Sequence, residues 1–87
     1  MNKTMIGQWE NYFIRRNRET ATTYTQTYWL HPADFIERMS CATMFETHED
    51  AEAERQTLRD NPDANLTEAD EIEIVHVRIT VEEITEP

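Results

Sequence analysis

The chain has one cysteine, one glycine, three prolines and few basic residues, with eight Lys or Arg against eighteen Asp or Glu. A lone cysteine, Cys41, leaves no internal disulfide, which fits a reducing compartment and a buried structural thiol. A lone glycine, Gly7, excludes every Gly-rich phosphate loop. No stretch approaches the ~18 uninterrupted apolar residues of a membrane span. Residues 1–10 hold no apolar run of the signal-peptide kind, so a cytoplasmic location is expected. Eighty-seven residues suffice for one domain, 1–87, with flexible ends expected at 1–6 and 83–87. A domain of this size buries only about 60% of the surface its unfolded chain exposes, which argues against a deep substrate cavity.

The net charge of −10 is unevenly placed. Residues 1–45 hold five basic and four acidic side chains, whereas residues 46–87 hold three and fourteen. Six of the eight aromatics, Trp9, Tyr12, Phe13, Tyr24, Tyr28 and Trp29, fall within 21 residues of the first half. An aromatic half is thus joined to an acidic half, an asymmetry that points to an interaction surface. The acids are interleaved with Ile, Val, Leu and Ala, which separates this pattern from that of a disordered tail.

Spacing predicts an α+β domain of order ββααβ: a three-stranded, largely antiparallel sheet, a short helix and a second, acidic helix. Residues 8–16 and 20–30 read as a hairpin joined by a turn at 17–19. Its threonine-rich second strand places Tyr24, Gln26, Tyr28 and Leu30 on one face and Thr23, Thr25, Thr27 and Trp29 on the other. Pro32 suits a helix start, giving a short helix over 32–39 with Phe35, Ile36 and Met39 inward. Thr47, with Asp50 three residues on, caps a helix over 48–60 whose apolar side is Ala51, Leu58 and the stem of Arg55. Residues 71–82 form the clearest strand, with a fault in its alternation. Ile72 and Ile74 share one parity; Val75, Val77, Ile79 and Val81 share the other. A bulge near Ile74 and Val75, or a central strand covered on both faces, would accommodate this.

The familiar site chemistries find little support. His31, His48 and His76 are 17 and 28 residues apart, unlike clustered zinc ligands. Asp63, Asn65, Thr67 and Asp70 alternate in an oxygen-rich loop, but an EF-hand counted from Asp63 would need Gly where Glu68 stands and Glu where Ile74 stands. Ser40 and Cys41 lack the context of an activated nucleophile. No cofactor, no metal and no enzymatic activity are expected. Arg15, Arg16 and Arg18 are too few to hold phosphates against the overall charge, so no direct nucleic-acid binding is expected. Pairing with the chain's own acidic half is the better use for them.

What remains is an acidic surface of Glu46, Glu49, Asp50, Glu52, Glu54, Asp60, Asp63, Glu68, Asp70, Glu71 and Glu73. Carboxylates one helical turn apart, about 5.4 Å, can compete for a basic groove that binds nucleic acid. Their field also speeds the encounter with a positive partner. The aromatic hairpin, the stretch 42–51 (ATMFETHEDA) and the terminal Ile/Val strand resemble small bacteriophage and mobile-element reading frames. In size, acidity and lack of catalytic motifs the chain is similar to anti-CRISPR and antirestriction proteins. That resemblance implies a stoichiometric, DNA-mimicking inhibitor in the cytoplasm of a bacterial host, bound to a basic nucleic-acid-binding protein or nuclease complex. It assigns no individual residue. The other reading is a small structural or regulatory protein that binds a partner, or a second copy, through Tyr24, Tyr28 and Trp29.

Overall fold

The computed structural model describes residues 2–32 and 34–85, with side chains from Gly7 onward. Its centre is a pair of long antiparallel strands, β1 (Asn2–Glu19) and β4 (Asp70–Thr85), joined from Arg18 opposite Asp70 to Asn2 opposite Thr85. β2 (Tyr24–Leu30) pairs with the other edge of β1, and β3 (Asp34–Ile36) with β2. The sheet is four-stranded and wholly antiparallel, in the order β3-β2-β1-β4. One helix, α1 (His48–Leu58), packs against it. The α+β class stands; among the described residues, four strands and a single α-helix replace the expected three strands and two helices.

The expected helix over 32–39 is instead β3 followed by a 3-10 turn, Met39–Cys41. Strand pairing sets Phe35 beside Trp29 and Ile36 beside Tyr28, on opposite sheet faces. A helix would have put Phe35 and Ile36 on one side and lost the Trp29–Phe35 packing, whose ring centroids lie 5.0 Å apart. Tertiary pairing has overridden the proline signal. The unmatched position within that segment, Ala33, lies outside the described residues.

The first hairpin turns later than 17–19. Asn17, Arg18 and Glu19 are paired with Gln26, Thr25 and Tyr24. Thr20 closes the turn: its hydroxyl accepts from the Thr23 N–H at 3.0 Å, and its own N–H donates to the Thr23 carbonyl at 2.8 Å. Residues 2–5 and 83–85, within the ends expected to be flexible, run as paired strand backbone, residue 6 falls at a break in the register, and Met1 and residues 86 and 87 lie outside the described residues.

α1 starts where its cap predicts, with the Thr47 hydroxyl accepting from the Asp50 N–H at 3.1 Å. Ala51 and Leu58 are buried as the spacing requires. The helix ends at Leu58, two residues short of expectation, and Asn61 caps a separate 3-10 turn, Pro62–Ala64. The core comprises Ile14, Trp29, Leu58 and Ala64, with Phe35, Phe45, Leu66 and Ile72 packed around it.

Alternation along β1, β2 and β4 gives the sheet two unlike faces. Ile14, Trp29, Ile72 and Ile74 point to the side covered by α1. Trp9, Phe13, Tyr24, Tyr28, Leu30, Val75, Val77, Ile79 and Val81 point to the other, here termed the open face. The parity fault in β4 is therefore neither of the expected features. β4 is an edge strand, and the register runs without a shift through Ile74 and Val75; the bulge lies between Met5 and Gly7. The change of parity marks where the apolar side of β4 passes from the helix-covered face to the open one.

Past Tyr12, whose backbone bridges to Phe45, β1 keeps only β4 as partner. The strands continue as a two-stranded ribbon. It stretches the molecule to 55 × 32 × 16 Å, with a radius of gyration of 16.4 Å. A compact chain of this length would have about 12 Å.

Candidate functional site

The acidic half divides into carboxylates held inside the fold and carboxylates left free. Asp70 opens β4 with a side chain that is 0% exposed. Arg18 grips it as a fork, Nε to Oδ1 at 2.7 Å and Nη2 to Oδ2 at 2.8 Å, and the Thr67 N–H adds a third bond at 2.9 Å. These contacts, Arg18 foremost, outweigh burial and bring the Asp70 pKa down to about 2. Glu73, on the open face, accepts from Asn17 Nδ2 at 2.9 Å and Arg15 Nε at 2.6 Å, and both contacts lower its pKa. Asn17 is a buried hub, since its Oδ1 also accepts from the Tyr24 hydroxyl and from Gln26 Nε2. Two of the three clustered arginines are thus spent on the acidic half. The third, Arg16, lies over the Phe35 ring, 4.6 Å from its centroid.

Two helical acids are also engaged. Glu52 pairs with Arg55 one turn on, which lowers its pKa. Glu54 accepts from the indole N–H of Trp29 at 3.1 Å and contacts His31 Nδ1 at 2.6 Å. Asp70, Glu73, Glu52 and Glu54, all expected at a partner surface, instead serve the fold. For Asp70, Glu73 and Glu54 sequence spacing does not reveal this, because their side-chain partners are 23 to 58 residues away, whereas the Glu52–Arg55 pair, three residues apart on a helix, was within its reach.

The remaining seven of the expected acids, Glu46, Glu49, Asp50, Asp60, Asp63, Glu68 and Glu71, are exposed. Among the described residues their carboxylates make no ion pair or side-chain hydrogen bond. All but Glu71 belong to α1 or the segments flanking it. They form two groups: Glu46, Glu49 and Asp50 at the start of α1, and Asp60, Asp63 and Glu68 beyond its end. Eight helical residues, 51–58, lie between these groups, a rise of about 12 Å. Arg59, adjacent in sequence to the second group, is turned onto backbone carbonyls, donating to Thr67 at 3.0 Å and to Asp70 at 2.5 Å. Its charge is held beside the loop and does not pair with the free acids.

The expected aromatic site separates in the same way. Tyr24 is 60% exposed on the open face, and Tyr28 is half-buried there. Trp29 is 1% exposed and lies in the core, so it offers no surface to a partner. The residue missed by sequence reading is Trp9, 52% exposed on the ribbon. The shared parity of Val75 to Val81 was the available signal.

Among the described residues no group of three His, Cys, Asp or Glu is placed to hold a metal ion. His48 and His76 meet on either side of Tyr12, edge-on at 5.7 Å and stacked at 4.6 Å, whereas His31 lies beside Glu54. Cys41 is exposed, contrary to the buried position expected of it, and its thiol has no hydrogen-bond partner among the described residues. No described helix is long and apolar enough to cross a membrane. Comparison with protein-family models, with curated proteins and with solved structures finds no match to this chain.

Proposed function

We propose that this chain is a non-enzymatic binding protein whose acidic, α1-bearing side occupies a basic, nucleic-acid-binding surface of another protein. The inhibitor reading follows from its resemblance to anti-CRISPR and antirestriction proteins, with action in the cytoplasm of a bacterial host and a nuclease complex as target. The observation that carries the reading is the pair of unpaired carboxylate groups at the two ends of α1, with Arg55 and Arg59 both committed elsewhere. The helical rise of about 12 Å between them is that over which one DNA strand presents about four phosphates. A negative field of this kind steers a basic partner and weakens with salt.

The test is capture of nucleic-acid-binding proteins from a bacterial lysate at low and high salt, with competing duplex DNA. Retention lost at high salt, lost to DNA, and lost in Glu49→Lys with Asp50→Lys or in Asp60→Lys with Asp63→Lys supports the reading. Retention indifferent to salt and to both charge reversals overturns it.

A further inference from the structure

We propose that the outer edge of β4, over residues 75–83, is a docking edge for an extended, basic segment of another protein. The segment joins the sheet as a fifth strand, antiparallel to β4. The contact lies apart from the carboxylate groups at the ends of α1, so it goes beyond the acidic-side reading and does not rest on it.

β4 runs for 16 residues, against about 5–6 for a typical strand, and ends the sheet with no described strand beyond it. At its start the Asp70 N–H donates to the Thr67 carbonyl, and the Asp70 carbonyl accepts from Arg59. From residue 71 to 85, among the described residues, no turn, loop or side chain bonds the outer backbone. Alternate N–H and C=O groups therefore point away from the sheet as an open ladder. The usual guards of such an edge are missing. β4 holds no proline and no glycine, and the one register break, between Met5 and Gly7, falls on β1. The ribbon's other edge, on β1, carries that bulge and ends at the Tyr12–Phe45 bridge.

The side chains of β4 select the occupant. Residues 71–85 hold four carboxylates, Glu71, Glu73, Glu82 and Glu83, and one arginine, Arg78, which is bonded to Glu10 at 3.1 Å. Val75, Val77, Ile79 and Val81 alternate along the open face and lead to Glu83, with Glu82 next to it on the opposite face. Glu82 and Glu83 are exposed, and Ile79 and Val81 are each 38% exposed. An antiparallel segment with apolar side chains opposite Val75 to Val81 covers the outer flank of that row. Its N-terminal end then meets Glu82 and Glu83, where lysine or arginine forms a favourable cross-strand pair. Nine residues, about 30 Å of extended chain, are enough. Backbone bonds supply the affinity and the alternating side chains the register, as in other cases of strand addition.

The same carboxylates reject the other occupants. An acidic segment meets like charge at Glu82 and Glu83 and the field of a molecule with net charge −10. A second copy of this chain is excluded in the registers that use most of the strand. Two β4 edges paired antiparallel about Val77 set Glu71 opposite Glu83 twice. Paired about Arg78, they set Glu73 opposite Glu83 twice and Arg78 opposite itself. Like charges directly across oppose pairing. The edge is thus closed to its own kind and open to positive charge.

The experiment titrates the full chain into a labelled peptide, Lys-Arg-Val-Thr-Ile-Thr-Val-Ser-Val, held at nanomolar concentration, and reads fluorescence anisotropy at physiological ionic strength. Saturable binding is expected, with amide exchange slowed within residues 75–83 and unchanged in α1. Of two peptides N-methylated at alternate residues, one on the odd positions and one on the even, only one should lose binding, because only one set of N–H groups faces β4. Glu82→Lys with Glu83→Lys, at exposed positions, should weaken binding roughly tenfold or more. Glu49→Lys with Asp50→Lys, remote from the edge, should weaken it by no more than about threefold. Absence of binding overturns the proposal, as do equal losses for the two N-methylated peptides or for the two charge reversals. Slowed exchange confined to α1, with loss only in the Glu49 and Asp50 variant, supports the acidic-side reading and overturns this one. A dimer of the chain that protects residues 75–83 without peptide overturns the choice of occupant.

Discussion

The indole of Trp9 lies across Gly7 two residues earlier on the same strand face. A Cβ placed on Gly7 would stand 2.8 Å from Trp9 Cη2 and 3.1 Å from Cζ2. The chain's one glycine thus provides the space that lets its most exposed tryptophan lie flat on the ribbon. The obstructing atoms belong to the far end of a side chain, so Gly7→Ala should lift the indole and leave the backbone in place. Unfolding free energy should stay level or rise by up to about 0.5–1 kcal/mol, because alanine loses less backbone freedom than glycine. Trp9 should become more accessible to acrylamide. A large loss of stability on urea denaturation would contradict this account.

The Arg18–Asp70 fork should dominate the acid sensitivity of the fold. The Asp70 pKa is about 2 in the folded chain, against about 3.9 in the unfolded one, so the unfolded state binds the proton more readily. The stabilisation is therefore complete above roughly pH 5 and is lost as pH falls through the folded pKa, a contribution of about 2 kcal/mol. Glu73, also lowered, acts in the same direction. Urea denaturation between pH 5 and pH 2 should show a shallower fall for Asp70→Asn than for the parent chain. At neutral pH, Arg18→Ala should cost about 3 kcal/mol by leaving the buried carboxylate without its main partner.

Glu54 separates structural acids from free ones. Glu54→Ala leaves the buried Trp29 N–H without an acceptor and should cost about 1–3 kcal/mol. Glu54→Gln keeps an acceptor oxygen and should cost less. Glu49→Ala, at an exposed carboxylate with no partner, should stay within about 0.5 kcal/mol of the parent. Thermal unfolding of the three variants side by side tests this order; equal losses would refute it.

Asp60 sits just past the end of α1, where the helix dipole presents negative charge. Replacing it by lysine should stabilise the fold by about 0.3–1 kcal/mol at low salt. The same change removes part of the second carboxylate group, so it should also reduce capture of basic partners. A variant that gains stability while losing retention is the expected outcome, read by melting temperature and by pull-down at matched salt.

Features that depend on a few neighbouring residues were legible in the sequence. The Thr47 cap, the burial of Ala51 and Leu58, the strand character of the Ile/Val segment and the α+β class all follow from local spacing. The concentration of free acid around α1 follows from the charge count, since fourteen acids against three bases cannot all be paired. The true length of β1, the existence of β3, the burial of Trp29 and Asn17, and the loss of Asp70, Glu73 and Glu54 to internal bonds could not be read there. Each depends on a partner distant along the chain.

The strand pattern of residues 71–82 shows where that division falls. Its alternation by itself determined that two apolar sets of opposite parity exist, because side chains on an extended chain alternate between faces whatever surrounds them. Only the tertiary structure decided what the change of parity means. Placing β4 at the sheet edge, with Ile72 packed on the cluster that contains Leu58 of α1 and Ile79 exposed on the opposite face, turned an apparent fault into two surfaces, one joined to the core and one reaching solvent. A one-dimensional pattern specifies which residues share a side; only packing determines which side is covered.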